Sequence, residues 1–171
     1  FADLVRLKVE TILRRPRSRG ETALDVLNMR ALMEKERPPK GYWDFKLSVG
    51  GQVDCEFVAQ YLQLIHAADG GPLRVGTLAA LSAMQRAGLA PAAEIEALSA
   101  AWRVQQSLAQ VMRVSLTEVD DPHNEPEAFQ RKRARAVHTR RLDTLEKKLK
   151  DIRKRARAAF EKLVVPVEGS R

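Results

Sequence analysis

The stretch KLSVGGQVDCEF, residues 46–57, decides how the chain is read. Together with the residues before it, it sets Trp43, Phe45, Leu47 and Val49 against Asp44, Lys46 and Ser48 in strict alternation. Two glycines follow, and Val53, Cys55 and Phe57 then alternate with Asp54 and Glu56. Period two is the pattern of a strand, and its parity limits the turn. Opposed residues of a hairpin share a face. A two-residue loop would set Val49 against Gln52 and mix the faces. A three-residue loop, Gly50-Gly51-Gln52, sets Val49 against Val53 and Leu47 against Cys55. Such loops need a left-handed residue, which glycine supplies. The expectation is a β-hairpin with Lys46 opposite Asp54 and Asp44 opposite Glu56.

On either side the periodicity turns helical. Residues 1–15 space Leu4, Val5, Val9, Ile12 and Leu13 as a helix does, and RRPRSRG (14–20) breaks the pattern. A second helix is expected over 21–36, with Leu24, Leu27, Ala31 and Leu32 on one side, ending at Pro38-Pro39. After Phe57 the chain reads as helices over 57–68, 74–87, 91–117 and 127–163. ADGGPL, AGLAP and DDPHNEP (120–126) are the connections. The last helix is expected to break near His138-Thr139. Beyond it, Leu142, Leu145, Leu149, Ile152, Ala156, Ala159 and Leu163 recur at threes and fours, close to a heptad seam. The expected fold class is mainly α. It is an antiparallel helical bundle carrying a short β-hairpin near its start, and the hairpin, marginal alone, belongs to a sheet whose other strands lie upstream of Phe1.

The 171 residues are 44% hydrophobic and 30% charged, which excludes a disordered composition. One cysteine, Cys55, excludes an internal disulfide and reads as a small buried hydrophobe. His66, His123 and His138 are scattered, so no zinc site of ordinary spacing is visible. No apolar run approaches the ~20 residues of a membrane span, and the expected setting is the cytoplasm. The net charge of +8 is uneven. Residues 131–162 hold 14 Lys/Arg against 4 Asp/Glu, and the remainder is slightly acidic. That helix could track phosphates, steer an acidic protein, or present a solvated basic face to water. It has no interleaved aromatics, and its apolar seam argues for packing on a bundle.

Asp54 and Glu56 are the residues with chemistry to offer. One pleat apart on a strand, they could hold a divalent metal through oxygen ligands, as two-metal phosphoryl and nucleotidyl transfer requires. Equally, they could be the wet face of the strand, with a Lys46–Asp54 cross-strand pair contributing ~0.2–1 kcal/mol. Gly50 and Gly51 could let backbone N–H groups approach a phosphate or simply form a turn. The spacing leaves these readings open.

DVLNMRALMEKE (25–36) and WDFKLSVGGQVDCEFVAQYLQLIHA (43–67) resemble the glutamine synthetase adenylyltransferase family. That family's segment reads approximately D-V-x-x-M-R, then D-[LIF]-K-L-x-x-G-G-x-x-D-[IVL]-E-F-x-x-Q-x-L-Q-L. Asp44, Lys46, Leu47, Gly50, Gly51, Asp54, Glu56, Phe57, Gln60, Leu62, Gln63 and Leu64 match it, while Cys55 departs from the usual aliphatic residue. The resemblance implies a parent enzyme of two fused polymerase-beta-type nucleotidyltransferase domains, each followed by a helical domain. One half adenylylates a tyrosine of glutamine synthetase with ATP and Mg²⁺, the other removes the AMP by phosphorolysis, and the P-II signal protein and glutamine tilt the balance.

The family's Gly-Ser turn and D-x-D metal pair do not occur in this sequence and are expected upstream. Residues 1–56 would then be the end of a nucleotidyltransferase domain and 57–171 its helical domain. VVPVEGSR resembles a natural terminus and points to the adenylylating half. The implied site residues are Asp54, as a third carboxylate at the metals, and Glu56 beside it, with Lys46, Gly50 and Gly51 as phosphate contacts. The chain alone is expected to lack transferase activity and to hold neither ATP nor Mg²⁺ tightly. Its expected partners are glutamine synthetase, P-II and the remaining domains of the same polypeptide. Nucleic-acid binding is the alternative function.

Overall fold

The structure, a computed structural model, describes residues 1–114 and 122–166. Its helices are α1 (Ala2–Leu13), α2 (Arg19–Glu36), α3 (Gln52–His66), α4 (Thr77–Arg86), α5 (Ala92–Val114), α6 (Glu127–Ala136) and α7 (Leu142–Leu163), with one 3-10 turn at Pro122–Asn124. No strand occurs among the described residues. Residues 115–117 of the expected fifth helix and most of VVPVEGSR lie outside the described residues.

The β-hairpin is therefore overturned, and both of its arms fail for identifiable reasons. In the first arm Asp44 folds the chain into turns. Its Oδ1 accepts from the backbone N–H of Lys46 (3.0 Å) and Leu47 (2.9 Å), and its Oδ2 from that of Lys40 (3.2 Å). An aspartate bonding to the backbone two and three residues on is a turn former, whatever the alternation around it. The second arm is the first turn of α3. Val53, Asp54 and Cys55 are buried in succession, and the buried set continues through Val58, Ala59, Tyr61 and Leu62, a helical period. Five residues of alternation, Val53 to Phe57, do not distinguish the two when one turn of a helix is buried nearly all round. Lys46 does not face Asp54 across a strand pair, nor does Asp44 face Glu56.

The helical part agrees with the sequence. The break before the last helix falls where expected, with His138 at φ 58° and the Thr139 backbone N–H and hydroxyl both donating to the Ala134 carbonyl. The seam of α7 is buried from Leu142 to Ala159. α5 and α7 form the most extensive helix pair, and α3 packs on α2, α4, α5 and α7. One apolar cluster gathers Cys55, Val58 and Leu62 of α3, Leu81 and Met84 of α4, Ile95 and Leu98 of α5, and Ala156 and Phe160 of α7. A second gathers Phe45, Leu108, Val137, Leu142, Leu145 and Leu149. Leu149 is fully buried in it. Leu149→Ala is expected to cost ~2–5 kcal/mol through lost transfer energy and the cavity left behind, read as a lowered urea midpoint at unchanged slope.

Two helices present different faces from those expected. α2 buries Ala23 and Arg30 with Val26 and Leu27 between them, while Leu24 and Leu32 are about half exposed. α1 buries nothing, and Leu4, Val5, Leu7, Val9 and Ile12 are all exposed. Arg14, just past its end, ties it to the bundle by donating to the carbonyls of Ala67 (3.0 Å) and Gly71 (3.3 Å). No helix is long and apolar enough to cross a membrane, among the described residues.

Candidate functional site

Of the five residues singled out in the sequence, Gly50, Gly51 and Asp54 meet at one buried junction where α2, the turn at 42–51, α3 and α7 come together. Its centre is Asp54, in the first turn of α3 and fully buried. The helix N-terminus favours a carboxylate there. Oδ1 pairs with Nε of Arg30, a side chain of α2 that is itself 1% exposed. Oδ2 accepts from the Gly50 backbone N–H at 2.7 Å and lies 3.5 Å from Nη1 of Arg157 on α7. Arg30 donates through Nη2 to the Leu47 carbonyl (3.2 Å), and its Nη1 stands 3.4 Å from Glu34. Glu34 in turn pairs with Arg157 at 2.9 Å.

The glycines bring backbone against backbone. Gly50 has φ +71°, in the left-handed region, and a Cβ placed on it would lie 2.6 Å from the carbonyl carbon of Arg153. A Cβ on Gly51 would lie 2.9 Å from the carbonyl oxygens of Lys46 and Phe45. Gly50 and Gly51 are both buried, with the Gly51 N–H donating to the Ser48 carbonyl at 2.7 Å. Arg153 completes the junction from α7. It donates to the carbonyls of Tyr42 (2.7 Å) and Asp44 (3.1 Å) and to Oε1 of Gln105 (3.1 Å), and its guanidinium lies over the rings of Tyr42 and Phe45. Gln105 passes the connection back by donating to the Gly50 carbonyl at 3.1 Å.

Lys46 and Glu56 lie outside this network. Lys46 is exposed and Glu56 half-buried. Burial raises the Glu56 carboxyl above the usual carboxylate range, and the nearby charge of Lys46 opposes the rise. A carboxyl whose pKa is raised by folding stabilises the fold at low pH and loses that contribution as pH rises through the folded value. Glu56→Gln is therefore expected to raise the melting temperature slightly at pH 7, with the gain vanishing as pH falls through the ordinary carboxylate range. Cys55 is fully buried, and burial, with the charges of Asp54 and Glu56, pushes its thiol far above the ordinary range. It is not poised as a nucleophile.

As donors for a divalent cation these groups fit poorly. Asp54 presents no oxygen free of a cationic or N–H donor, two arginines stand against it, and no group of three His, Cys, Asp or Glu capable of holding a metal occurs among the described residues. The partners of Asp54 escaped the sequence reading. Arg30 carried a faint signal, being seven residues after Ala23 on the buried stripe of α2, and Arg153 directly follows Ile152 of the α7 seam. Nothing in the sequence links either to its acceptors.

The fold and the junction define a helical module organised around a buried arginine–aspartate pair. Residues 27–164 match the family model described as GlnD PII-uridylyltransferase, and the chain belongs to that family. The curated relatives it matches are bifunctional glutamine synthetase adenylyltransferase/adenylyl-removing enzymes. The one from Caulobacter vibrioides is 49% identical over 156 residues, covering 91% of this chain and 16% of its own length. Those from Rhodopseudomonas palustris (strain TIE-1) and Bradyrhizobium diazoefficiens are 34% and 33% identical over 165 residues, covering 96% of this chain and 17% of their own. The resemblance carried by residues 25–36 and 43–67 is thus borne out, and the chain spans about a sixth of the length of these relatives.

Proposed function

We propose that this chain is the helical part of a glutamine synthetase adenylyltransferase, from the half that attaches AMP, and that it supports nucleotidyl transfer without performing it. The observation that carries this reading is the state of Asp54. Its carboxylate is buried between Arg30, Arg157 and the Gly50 N–H, an arrangement suited to locking α2, α3 and α7 together rather than to holding Mg²⁺ over a phosphate. The two glycines serve the same lock by admitting the α7 backbone. ATP, Mg²⁺ and the D-x-D pair belong, on this reading, to another part of the polypeptide, and glutamine synthetase and P-II are the partners of the whole protein. The purified chain, given ATP, Mg²⁺ and glutamine synthetase, is expected to incorporate no AMP, and measurable incorporation of labelled AMP would overturn the reading.

The internal use of the basic helices weighs against nucleic-acid binding. Arg133 pairs with buried Glu125, Arg153 serves the junction, and Arg157 pairs with Glu34 and Glu161. Arg131, Arg141, Arg155 and Lys162 pair with Glu127, Asp143, Asp151 and Glu94. These bonds tie seven of the 14 basic side chains of 131–162 into the bundle, while exposed Lys132, Lys147, Lys150 and Lys154 have no acidic partner among the described residues, so the basic face is thinned rather than removed.

A further inference from the structure

Away from the junction, α1, α3, α4 and the connection from α3 to α4 enclose an open cleft of about 1200 Å³. Four arginines reach it, and they divide into two kinds. Arg14 is structural, because it holds the Ala67 and Gly71 carbonyls and is neutralised by Glu10 at 2.8 Å. Arg6, Arg74 and Arg86 have no acidic partner among the described residues. Among the described residues the Arg74 guanidinium donates to the Leu73 carbonyl and that of Arg86 to the Ser82 hydroxyl. Glu10, the one carboxylate in the wall, is already used by Arg14. Between the arginines run apolar side chains, Val9, Leu13, Leu64 and Val75, of which Val9 and Val75 are exposed. The Arg74 backbone N–H is fixed by Oε1 of Gln63 on α3, so the connection is held against the helix rather than free.

We propose that this cleft docks an acidic segment of a partner protein, with its carboxylates on Arg6, Arg74 and Arg86 and its apolar side chains on the strip between them. Guanidinium groups form planar, two-pronged bonds with carboxylates. Three that make no ion pair with any described residue, in one cleft, favour an anionic occupant. The exposed valines and the size of the cleft select a peptide over a single small anion, because small-molecule sites enclose roughly 300–1,000 Å³ and bury most of their ligand. The surface is separate from the Asp54 junction, so the inference does not rest on the function proposed above.

The test is fluorescence anisotropy of the full chain with a short fluorescein-labelled peptide of alternating glutamate and leucine. A glutamine–leucine peptide is the control ligand. The variant is Arg74→Glu with Arg86→Glu, both exposed positions, checked by thermal melt. Arg74→Gln with Arg86→Gln replaces it if the melt shifts. The control variant, Lys132→Glu with Arg135→Glu on α6, changes the charge equally elsewhere. Binding of the glutamate peptide that weakens with salt and falls by ~10-fold or more in the cleft variant but not in the control variant is expected. No binding, equal loss in both variants, or equal affinity for the glutamine peptide would overturn the proposal. Displacement of the peptide by inorganic pyrophosphate at lower concentration would show a small-anion site and overturn it as well.

Discussion

Gly50→Ala is expected to destabilise the chain by ~3 kcal/mol or more, through a left-handed backbone penalty and an overlap with no simple relief. The added Cβ meets the backbone of Arg153, 2.6 Å from its carbonyl carbon and 2.8 Å from its Cα. Those atoms belong to the interior of α7 and cannot rotate away as a side chain would. Relief requires α7 to move off the 42–51 turn. That movement would break the bonds from Arg153 to the Tyr42 and Asp44 carbonyls and from Gln105 to Gly50. Gly88 gives the control, since its φ is +66° but nothing lies within 4 Å of a Cβ there. Gly88→Ala should show the conformational penalty alone, ~1 kcal/mol. For a chain of this size each kcal/mol shifts the melting temperature by about 2–4 °C. Calorimetry should therefore separate the two variants clearly, and equal melting of Gly50→Ala and Gly88→Ala would contradict the close approach.

Asp54→Ala is expected to cost ~3–5 kcal/mol, because it strands the charge of Arg30 in the interior. Arg30 is 1% exposed, and its remaining acidic neighbour, Glu34, stands 3.4 Å away and also serves Arg157. The Gly50 N–H loses its acceptor too. Arg30→Met alone should be similarly severe, since it leaves a buried carboxylate. The double variant Arg30→Met with Asp54→Ala should cost clearly less than the two single losses together, because neither charge is then left without the other. Urea unfolding of all four chains gives the coupling directly, and simple additivity would mean that the two residues do not act as a pair.

Much of the helical architecture was legible because long amphipathic segments announce themselves. α7 repeats its apolar seam over more than five turns, and that seam is buried as expected. The failure at residues 42–57 has a different cause. Alternation there was genuine, but Asp44 turned one arm and the second was the start of a helix whose first turn is buried nearly all round. α2 failed more subtly, because its buried stripe is organised by a charged residue. Leu24 and Leu32 suggested one face, whereas the pair with Asp54 draws Arg30 inward and turns those leucines outward. Hydrophobicity has no way to signal a buried ion pair. For the candidate site the sequence singled out Gly50, Gly51 and Asp54 by their match to a family segment, and the structure places these three side by side. The sequence could not say what the pattern was for, because a carboxylate bound to an arginine and one bound to a metal are the same letter.

The measurement that bears most directly on the role of Asp54 is the unfolding free energy of Asp54→Asn against the unaltered chain, by urea titration at pH 7 in EDTA. Asparagine keeps the shape and removes the charge. If Asp54 is the structural anchor of Arg30, stability falls by ~2 kcal/mol or more with no metal present. If instead Asp54 were held ready for a cation, the metal-free chain would lose nothing or gain, and equal or greater stability of Asp54→Asn would contradict the anchoring role.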